Sequence, residues 1–271
     1  MNLGTGTIWS LACALAGVAL GRWFSKRRSP YWLLGYFLPL TLIFIYGVAI
    51  HIPALAFTPP ISWMMMGQRK FAIFGFIAAM VLTTPVSRLP LKRDRVVISI
   101  LTATIVLFMS VWPFLAPLFN RTQLALLKTR VDGDGVCLQN TGYTCGPASA
   151  VTALRKLGLP AEEGQIAILS GTSSTTGTPP DILAEVLLKQ YGQVGLVVKY
   201  QPFKTIAELK SAGLTLAVVK FGFMVDHYVT VLEVTDSQVI VGDPLNGLEK
   251  LSYAEFADKW RFSGIVLKRK I

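Results

Sequence analysis

The sequence is poor in the two residue types that most often build metal sites and thiol sites. Its 271 residues include three cysteines and two histidines. Residues 121–271 contain one histidine, His227, and two cysteines, Cys137 and Cys145. These are too few and wrongly spaced for a structural zinc site, which takes four Cys or His ligands. We therefore expect no metal and no cofactor.

A phosphate-binding loop is also missing. The pattern Gly-x-x-x-x-Gly-Lys-Ser/Thr occurs nowhere in the chain. In that loop, backbone amides and a lysine hold the phosphates of a nucleotide. We therefore expect no ATP-binding domain in this chain and no export driven by its own ATP hydrolysis.

Acidic residues are scarce in the N-terminal part. Residues 1–120 contain ten Lys and Arg but a single acid, Asp94, whereas residues 121–271 contain sixteen Lys and Arg against fourteen Asp and Glu. The net charge of +11 therefore comes mostly from the first part. A protein that binds nucleic acid spreads basic charge over a soluble face. Here the charge occurs in short clusters between apolar runs, which favours membrane topology and argues against a nucleic-acid partner.

Four stretches are long and apolar enough to cross a lipid bilayer, which takes about 20 residues of helix. They are residues 7–24, 31–54, 71–86 and 96–119. The first and third are near the lower length limit, and the first alone also fits the core of a signal peptide. A removed signal peptide would not explain the three stretches that follow. We predict an all-α transmembrane region of four helices over residues 1–120.

The basic clusters predict an orientation for these helices. Loops on the cytoplasmic side carry an excess of Lys and Arg. One side has Arg22, Lys26, Arg27, Arg28, Arg88, Lys92, Arg93 and Arg95, and the other has Arg69, Lys70, Arg121, Lys128 and Arg130. This excess of eight over five places both termini outside the cytoplasm. We expect a multi-pass protein of a bacterial inner membrane, with its C-terminal domain on the extracytoplasmic side.

The C-terminal half has the pattern of a compact α+β domain over residues 136–271, after a turn-rich linker at 121–135. The predicted helices are 146–157, 161–169, 179–191 and 206–212, and the predicted strands are 196–200, 214–221, 227–234, 239–242 and 262–268. Ser252 and Glu255 form a capping-box pattern that predicts a further helix up to Trp260. Thr178 is expected to cap the helix that begins at residue 179.

Cys145 is the candidate nucleophile of this domain. It stands directly before Gly146 and Pro147, at the start of the first predicted helix. Unpaired backbone N–H groups and the helix dipole favour a thiolate there. Cys137 lies in the extended segment before this helix, where no helix dipole would favour a thiolate. A disulfide between the two cysteines would block the nucleophile, and the sequence leaves that possibility open.

A thiol nucleophile needs a base, a partner that orients the base, and donors for the oxyanion. His227 opens a predicted strand and is the candidate base. Asp243 closes the neighbouring strand and can hold the imidazole in one tautomer. Asp226 is a rival orienting residue, but strand alternation points it to the opposite face. Gln139 can offer its amide N–H to the oxyanion, together with the backbone N–H of Cys145.

The residues around these positions resemble a known family. The matching segments are 139–150, 226–229 with the sequence Asp-His-Tyr-Val, and 242–244 with the sequence Gly-Asp-Pro. They resemble the C39 family of cysteine peptidases, the papain-like domains that remove double-glycine leader peptides in bacteriocin exporters. The resemblance covers about residues 136–269.

The resemblance implies a papain-like fold and a role for each of four residues. It implies Cys145 as nucleophile, His227 as general base and acid, Asp243 as orienting residue and Gln139 as oxyanion donor. Thr144 departs from the pattern, since exporter-type members have Asp before the nucleophile. This departure and the missing ATPase domain indicate a free-standing branch.

Four functions remain open at this point. The first is a membrane-anchored cysteine endopeptidase that cleaves peptides or proteins after a Gly-Gly type leader. The second is a receptor or adaptor that binds peptides without cleaving them, although retention of Cys145 argues against it. The third is a transporter or signalling scaffold regulated by the C-terminal domain, and the fourth is acyl or peptidyl transfer by the same thiol. The Ser/Thr-rich segment 171–180 is interpreted as a surface loop, with a border of the substrate groove as the alternative.

Overall fold

The fold was analysed in a computed structural model, which describes residues 3–65, 67, 69–222 and 225–270. The chain divides into two compact units, Met1–Ala116 and Pro117–Ile271. Each unit has its own buried core. The two are therefore described separately.

The first unit is helical throughout its described residues. Its helices are α1 (Leu3–Ser25), α2 (Phe37–His51), α3 (Pro53–Ala56), α4 (Ile61–Met65), α5 (Arg69–Thr83) and α6 (Lys92–Ser110), and α7 (Trp112–Ala125) runs into the second unit. Short 3₁₀ turns at Tyr31–Tyr36 and Val86–Arg88 precede α2 and follow α5.

Three helical segments are long and apolar enough to cross a membrane, namely Gly6–Ser25, Tyr31–His51 and Arg69–Arg88. Helices α6 and α7 make a fourth if this bent pair is one span. The predicted helical N-terminal region is thus confirmed, with three apolar spans, or four if the bent pair is one span, where four were predicted. The fourth predicted segment, residues 96–119, is interrupted at Val111, and Pro113 lies in the first turn of α7. Proline lacks the N–H that would continue the helix there.

Helices α1 and α5 approach each other through glycine. A Cβ on Gly17 would lie 2.5 Å from the carbonyl oxygen of Phe76, and one on Gly21 would lie 2.1 Å from Oγ1 of Thr83. No side chain fits at either distance. Small residues with this spacing are how helices pack in membranes, where van der Waals contact replaces the hydrophobic effect. Gly17 and Gly21 therefore fix the α1–α5 contact.

The second unit is a mixed α and β domain. Its helices are α8 (Cys145–Lys156), α9 (Glu163–Leu169), α10 (Pro180–Tyr191), α11 (Ile206–Ala212) and α12 (Tyr253–Lys259). Its strands are β1 (Arg130–Val131), β2 (Cys137–Leu138), β3 (Leu196–Pro202), β4 (Thr215–Gly222), β5 (Val225–Val234), β6 (Gln238–Asp243), β7 (Gly247–Ser252) and β8 (Trp260–Arg269). Strands β1 and β2 pair with each other, and the other six form an antiparallel sheet in the order β3-β8-β4-β5-β6-β7.

Both faces of the large sheet are covered. Side chains of β4 alternate, so that Leu216 and Val218 face the core formed with α8, α9 and α10, while Ala217 and Val219 face the core formed with α11 and α12. Successive strand residues point to opposite faces. A strand buried on both faces reads as a continuous apolar run, as β4 does here. The predicted α+β class is confirmed.

Several boundaries differ from the predictions. Helix α7 extends to Ala125 and β1 begins at Arg130, so regular structure occupies part of the predicted linker. Strand β7 was not predicted. The predicted cap at Thr178 is wrong, because Pro179 is the N-cap of α10 and makes no side-chain cap bond. The predicted capping box at Ser252 is present, with Glu255 as its reciprocal partner.

Candidate active site

Cys145 is the first residue of α8, directly after a tight loop. Thr144 is fully buried, and its hydroxyl oxygen accepts a hydrogen bond from the backbone N–H of Thr141 at 3.2 Å. This bond closes the loop against the helix start. Thr144, which replaces the Asp of exporter-type members, therefore still provides a side-chain oxygen that fixes the loop.

Helix α8 is joined to β5 one turn beyond Cys145. The Ser149 hydroxyl donates to the carbonyl oxygen of Tyr228 at 3.1 Å, and the Thr230 hydroxyl donates to the carbonyl oxygen of Ser149 at 2.9 Å. Both bonds are buried, where an unpaired polar group would cost about 1–3 kcal/mol. They hold the start of α8 against the strand that carries His227.

His227 lies between a thiol and a carboxylate. Its Nε2 lies 2.8 Å from Oδ1 of Asp243, and Cys145 lies near enough to the ring to raise its pKa. Since Nε2 is engaged by Asp243, Nδ1 is the nitrogen left for the sulfur. Oδ1 of Asp243 also accepts from the backbone N–H of Leu245 at 2.8 Å, which fixes the carboxylate. His227 and Asp243 are 5% and 7% exposed, so water screens their interaction poorly.

The two partners change each other's protonation. Burial opposes the charged form of His227, but the hydrogen bond to Asp243 and the nearby Cys145 outweigh it and raise the pKa of the ring to about 9. Burial likewise opposes ionisation of Asp243, but the hydrogen bond from His227 outweighs it and lowers the pKa of that carboxyl. With this raised pKa, the ring of His227 is an imidazolium at neutral pH, near the sulfur of Cys145. A neighbouring imidazolium stabilises a thiolate, the nucleophilic form of cysteine.

The comparison with protein families decides the assignment. The model of the peptidase C39 family matches residues 135–270. The chain belongs to the peptidase C39 family. An uncharacterized protein of Methanothermobacter marburgensis is 26% identical over 144 residues, which are 53% of this chain and 95% of that protein.

Two solved structures are similar to the C39 domain. The peptidase domain of Streptococcus ComA, a bifunctional ABC transporter of a quorum-sensing pathway, is 21% identical with a TM-score of 0.43, covering 49% of this chain and 96% of that one. A double glycine motif protease from an AMS/PCAT transporter, solved with the leader peptide, is 20% identical with a TM-score of 0.43, covering 53% and 93%.

Gln139 lies in the C39 domain beside the turn that follows Asp243. Its backbone N–H donates to the carbonyl oxygen of Pro244 at 2.9 Å, and its side-chain Nε2 donates to the carbonyl oxygen of Thr141 at 2.8 Å. Its Oε1 is buried and has no hydrogen-bond partner among the described residues. The structure therefore brings Gln139 to the loop that precedes Cys145. One N–H of the amide remains for a ligand.

Asp226 and Cys137 lie away from this cluster. Asp226 accepts from Nε of Arg261 at 2.9 Å, so the acid that contacts His227 is Asp243. Cys137 is fully buried in the core beneath α8, and mainly this burial raises its pKa to about 12. Both cysteines are free thiols. Of the two cysteines of the C39 domain, Cys145 is therefore the one beside His227. The described residues contain no cluster of three or more His, Cys, Asp or Glu that could hold a metal.

Glu163 is a part of the site that the sequence analysis did not find. It is fully buried at the start of α9, and its carboxylate accepts from the backbone N–H of Asn140 at 3.0 Å and from the Asn140 side-chain amide. Asn140 follows Gln139 directly. Glu163 thus fixes the residue next to the predicted oxyanion donor. No sequence pattern indicates that Asn140 and Glu163, which are 23 positions apart, are in contact.

The Ser/Thr-rich segment 171–180 is only partly a surface loop. Thr172, Ser173 and Thr178 are buried, and the hydroxyls of Thr172 and Thr178 lie 2.6 Å apart. The Tyr228 hydroxyl donates to the carbonyl oxygen of Thr178 at 2.8 Å. A Cβ on Gly146 would lie 3.3 Å from Cβ of Thr178. This end of the segment therefore lies against the start of α8, next to Cys145.

Proposed function

We propose that the protein is a membrane-anchored cysteine endopeptidase that cleaves peptide or protein substrates after a Gly-Gly type leader. One observation carries the proposal. In a domain of the C39 family, the ring of His227 is hydrogen-bonded to the carboxylate of Asp243, and the thiol of Cys145 lies near enough to raise the pKa of the same ring. The Gly-Gly specificity is the substrate class of that family.

The proposed reaction begins with a thiolate. Cys145 attacks the scissile carbonyl carbon, and a C–S bond forms as the carbonyl π electrons move to oxygen. The backbone N–H of Cys145 and the amide of Gln139 stabilise this oxyanion, a contribution typically worth about 3–4 kcal/mol per donor. His227 gives its proton to the leaving amine as the C–N bond breaks.

Water completes the cycle. His227, now neutral, takes a proton from a water molecule that attacks the thioester of Cys145. The C–S bond breaks, the new carboxylic product leaves, and the imidazolium and thiolate are restored. Asp243 stays ionised throughout and holds the ring in the orientation that keeps Nδ1 on the sulfur.

The membrane assignment is part of the proposal. Three to four helices of the first unit are long and apolar enough to span a bilayer. We place the protein in a cell membrane with the C39 domain on the extracytoplasmic side, as the excess of Lys and Arg indicates. Its partners are then a peptide substrate and the lipid bilayer.

The test uses the full chain in detergent with peptides that carry Gly-Gly at one position, and product masses locate the cut. We expect cleavage after the second glycine and its complete loss in Cys145→Ala. The matched control is Cys137→Ala, which removes the other thiol of the domain from its core and should retain most activity. Cleavage that survives Cys145→Ala would refute the proposal. Binding of the peptide by the unaltered protein without cleavage would instead identify an adaptor.

A further inference from the structure

Three cations of the first unit line one cavity. Arg22 lies in the last turn of α1, Lys26 follows the end of that helix, and Arg95 lies on α6. Val86 and Ser87, from the turn between α5 and α6, line the same cavity.

Hydrogen bonds hold the frame of this cavity. The backbone N–H of Ser87 donates to the Ser25 hydroxyl oxygen at 2.7 Å, which ties the end of α1 to the α5–α6 turn. Nε of Arg95 donates to the carbonyl oxygen of Leu89 at 2.9 Å. This bond orients the guanidinium and leaves its two terminal nitrogens for a ligand. The fold therefore orients Arg95 and ties the end of α1, beside Arg22 and Lys26, to the α5–α6 turn.

No carboxylate neutralises these charges among the described residues. The one acid of the first 120 residues is Asp94, and it contacts Arg93 at 3.6 Å. Like charges that face one cavity repel each other and attract an anion. The cavity is thus complementary to an anionic group.

An apolar strip continues from the cations along α6. Val96, Ile100 and Ala103 line the same cavity, and their spacing places them on one helix face. Val96 is 57% exposed and Ile100 is 62% exposed. The site therefore combines a cationic end with an apolar wall. These two parts are complementary to the anionic headgroup and the acyl chain of a phospholipid.

We propose that this cavity binds an anionic phospholipid, with the phosphate between Arg22, Lys26 and Arg95 and an acyl chain along Val96 and Ile100. The proposal rests on the proposed membrane location and is independent of peptidase activity. Guanidinium groups bind phosphate through paired N–H donors. Basic pockets between helices at the cytoplasmic boundary recognise such headgroups.

The test measures bound lipid by mass spectrometry of the intact full-length protein released from mixed micelles. The micelles contain phosphatidylglycerol and phosphatidylcholine in equal amounts. We expect phosphatidylglycerol to be retained roughly tenfold over phosphatidylcholine, the discrimination given by about 1.4 kcal/mol. The variant R22Q/K26Q/R95Q should lose this preference.

The matched control is R28Q/K92Q/R93Q, which removes three charges from the same basic clusters outside the cavity. It should keep the preference, and an equal loss in both triple variants would overturn the proposal. Equal retention of both lipids by the unaltered protein would also overturn it. Displacement by soluble glycerol phosphate as effective as by lipid would show a free-phosphate site and reject the lipid. These last two measurements need no variant, so poor folding of a variant leaves the proposal testable.

Discussion

At the scale of single residues, Asp243 controls the charge of His227. The pKa of the ring is raised to about 9, so the folded protein holds this proton more tightly than the unfolded chain, whose histidine has a pKa near 6.5. The resulting stabilisation is complete below about pH 6.5 and is lost as the pH rises to about 9. Asp243, whose pKa is lowered, contributes stability that is lost as the pH falls toward its folded-state pKa.

The same charge state predicts a pH profile. The rate of peptide cleavage should fall on the alkaline side with an apparent pKa near 9, as the imidazolium loses its proton. In Asp243→Asn the main group that raises this pKa is gone, so the alkaline limb should move toward the ordinary histidine value of about 6.5. The measurement is kcat/KM against pH for both proteins.

A neighbouring acid provides the control for this prediction. Asp226→Asn removes a carboxylate one residue from His227 in sequence, but Asp226 is bonded to Arg261 and leaves the His227–Asp243 pair intact. Its alkaline limb should match that of the unaltered protein. An alkaline limb that stays in place in Asp243→Asn would show that the carboxylate does not set the charge of the ring.

At the scale of elements, sequence patterns predicted the helices and most strands because each buries a regular face. Helix α11 was predicted with its observed ends, since Gly213 follows its last turn. Strand β7 was missed because the adjacent charged residues Glu249 and Lys250 interrupt any apolar alternation, and because it lies at the edge of the sheet with no buried residue after Gly247. Edge strands carry a weak apolar pattern.

The candidate site also has residues that the sequence could suggest and contacts that it could not. Cys145, His227 and Asp243 could be proposed from the sequence because cysteine and histidine are scarce and the candidates fall at element ends. The 2.8 Å distance between His227 and Asp243 follows from the folded domain, in which β5 pairs with β6. The bonds that place α8 on β5, made by Ser149 and Thr230, could not be predicted, because hydroxyl side chains occur throughout the domain and carry no sign of their partner.

The contact between α9 and the loop before Cys145 predicts a variant phenotype. Glu163→Ala removes the two hydrogen bonds to Asn140 and loosens the loop that carries Gln139. We expect kcat to fall roughly tenfold, which corresponds to about 1.4 kcal/mol, with little change in KM. Alkylation of Cys145 by iodoacetamide forms no oxyanion, so its rate should stay unchanged.

The conservative variant Glu163→Gln distinguishes a role of Glu163 in positioning the loop from a role in overall folding. Glu163→Gln keeps an oxygen acceptor for the backbone N–H of Asn140 and should recover part of the lost turnover. Parallel loss of cleavage and alkylation in Glu163→Ala would mean that the whole site has collapsed. In that case Glu163 would be a residue of general stability.

At the scale of the whole molecule, the two units have separate cores and should respond to different substitutions. Gly21→Leu places a side chain where even a Cβ would lie 2.1 Å from Thr83 Oγ1, and overpacking of this kind costs about 1–3 kcal/mol. We expect a lower unfolding temperature for the helical unit in detergent. The alkylation rate of Cys145 should be unchanged, because the C39 domain is packed by its own residues.

Gly47→Leu is the matched control for that substitution. Gly47 lies on α2, and a Cβ there meets no atom within 4 Å. The same glycine-to-leucine change in the same unit should therefore have little effect on unfolding. Equal destabilisation by both variants would show that the close α1–α5 approach has no special role.

The orientation of the whole chain predicts which cysteine an external reagent can reach. Cys13 lies within α1 and Cys137 is fully buried, so Cys145 is the thiol that a polar reagent should modify. With the C39 domain outside the cytoplasm, a membrane-impermeant maleimide should label intact cells, and Cys145→Ala should abolish that label. The distribution of Lys and Arg favours this side by eight residues to five. Labelling that requires permeabilised cells would place the domain in the cytoplasm and refute the predicted orientation.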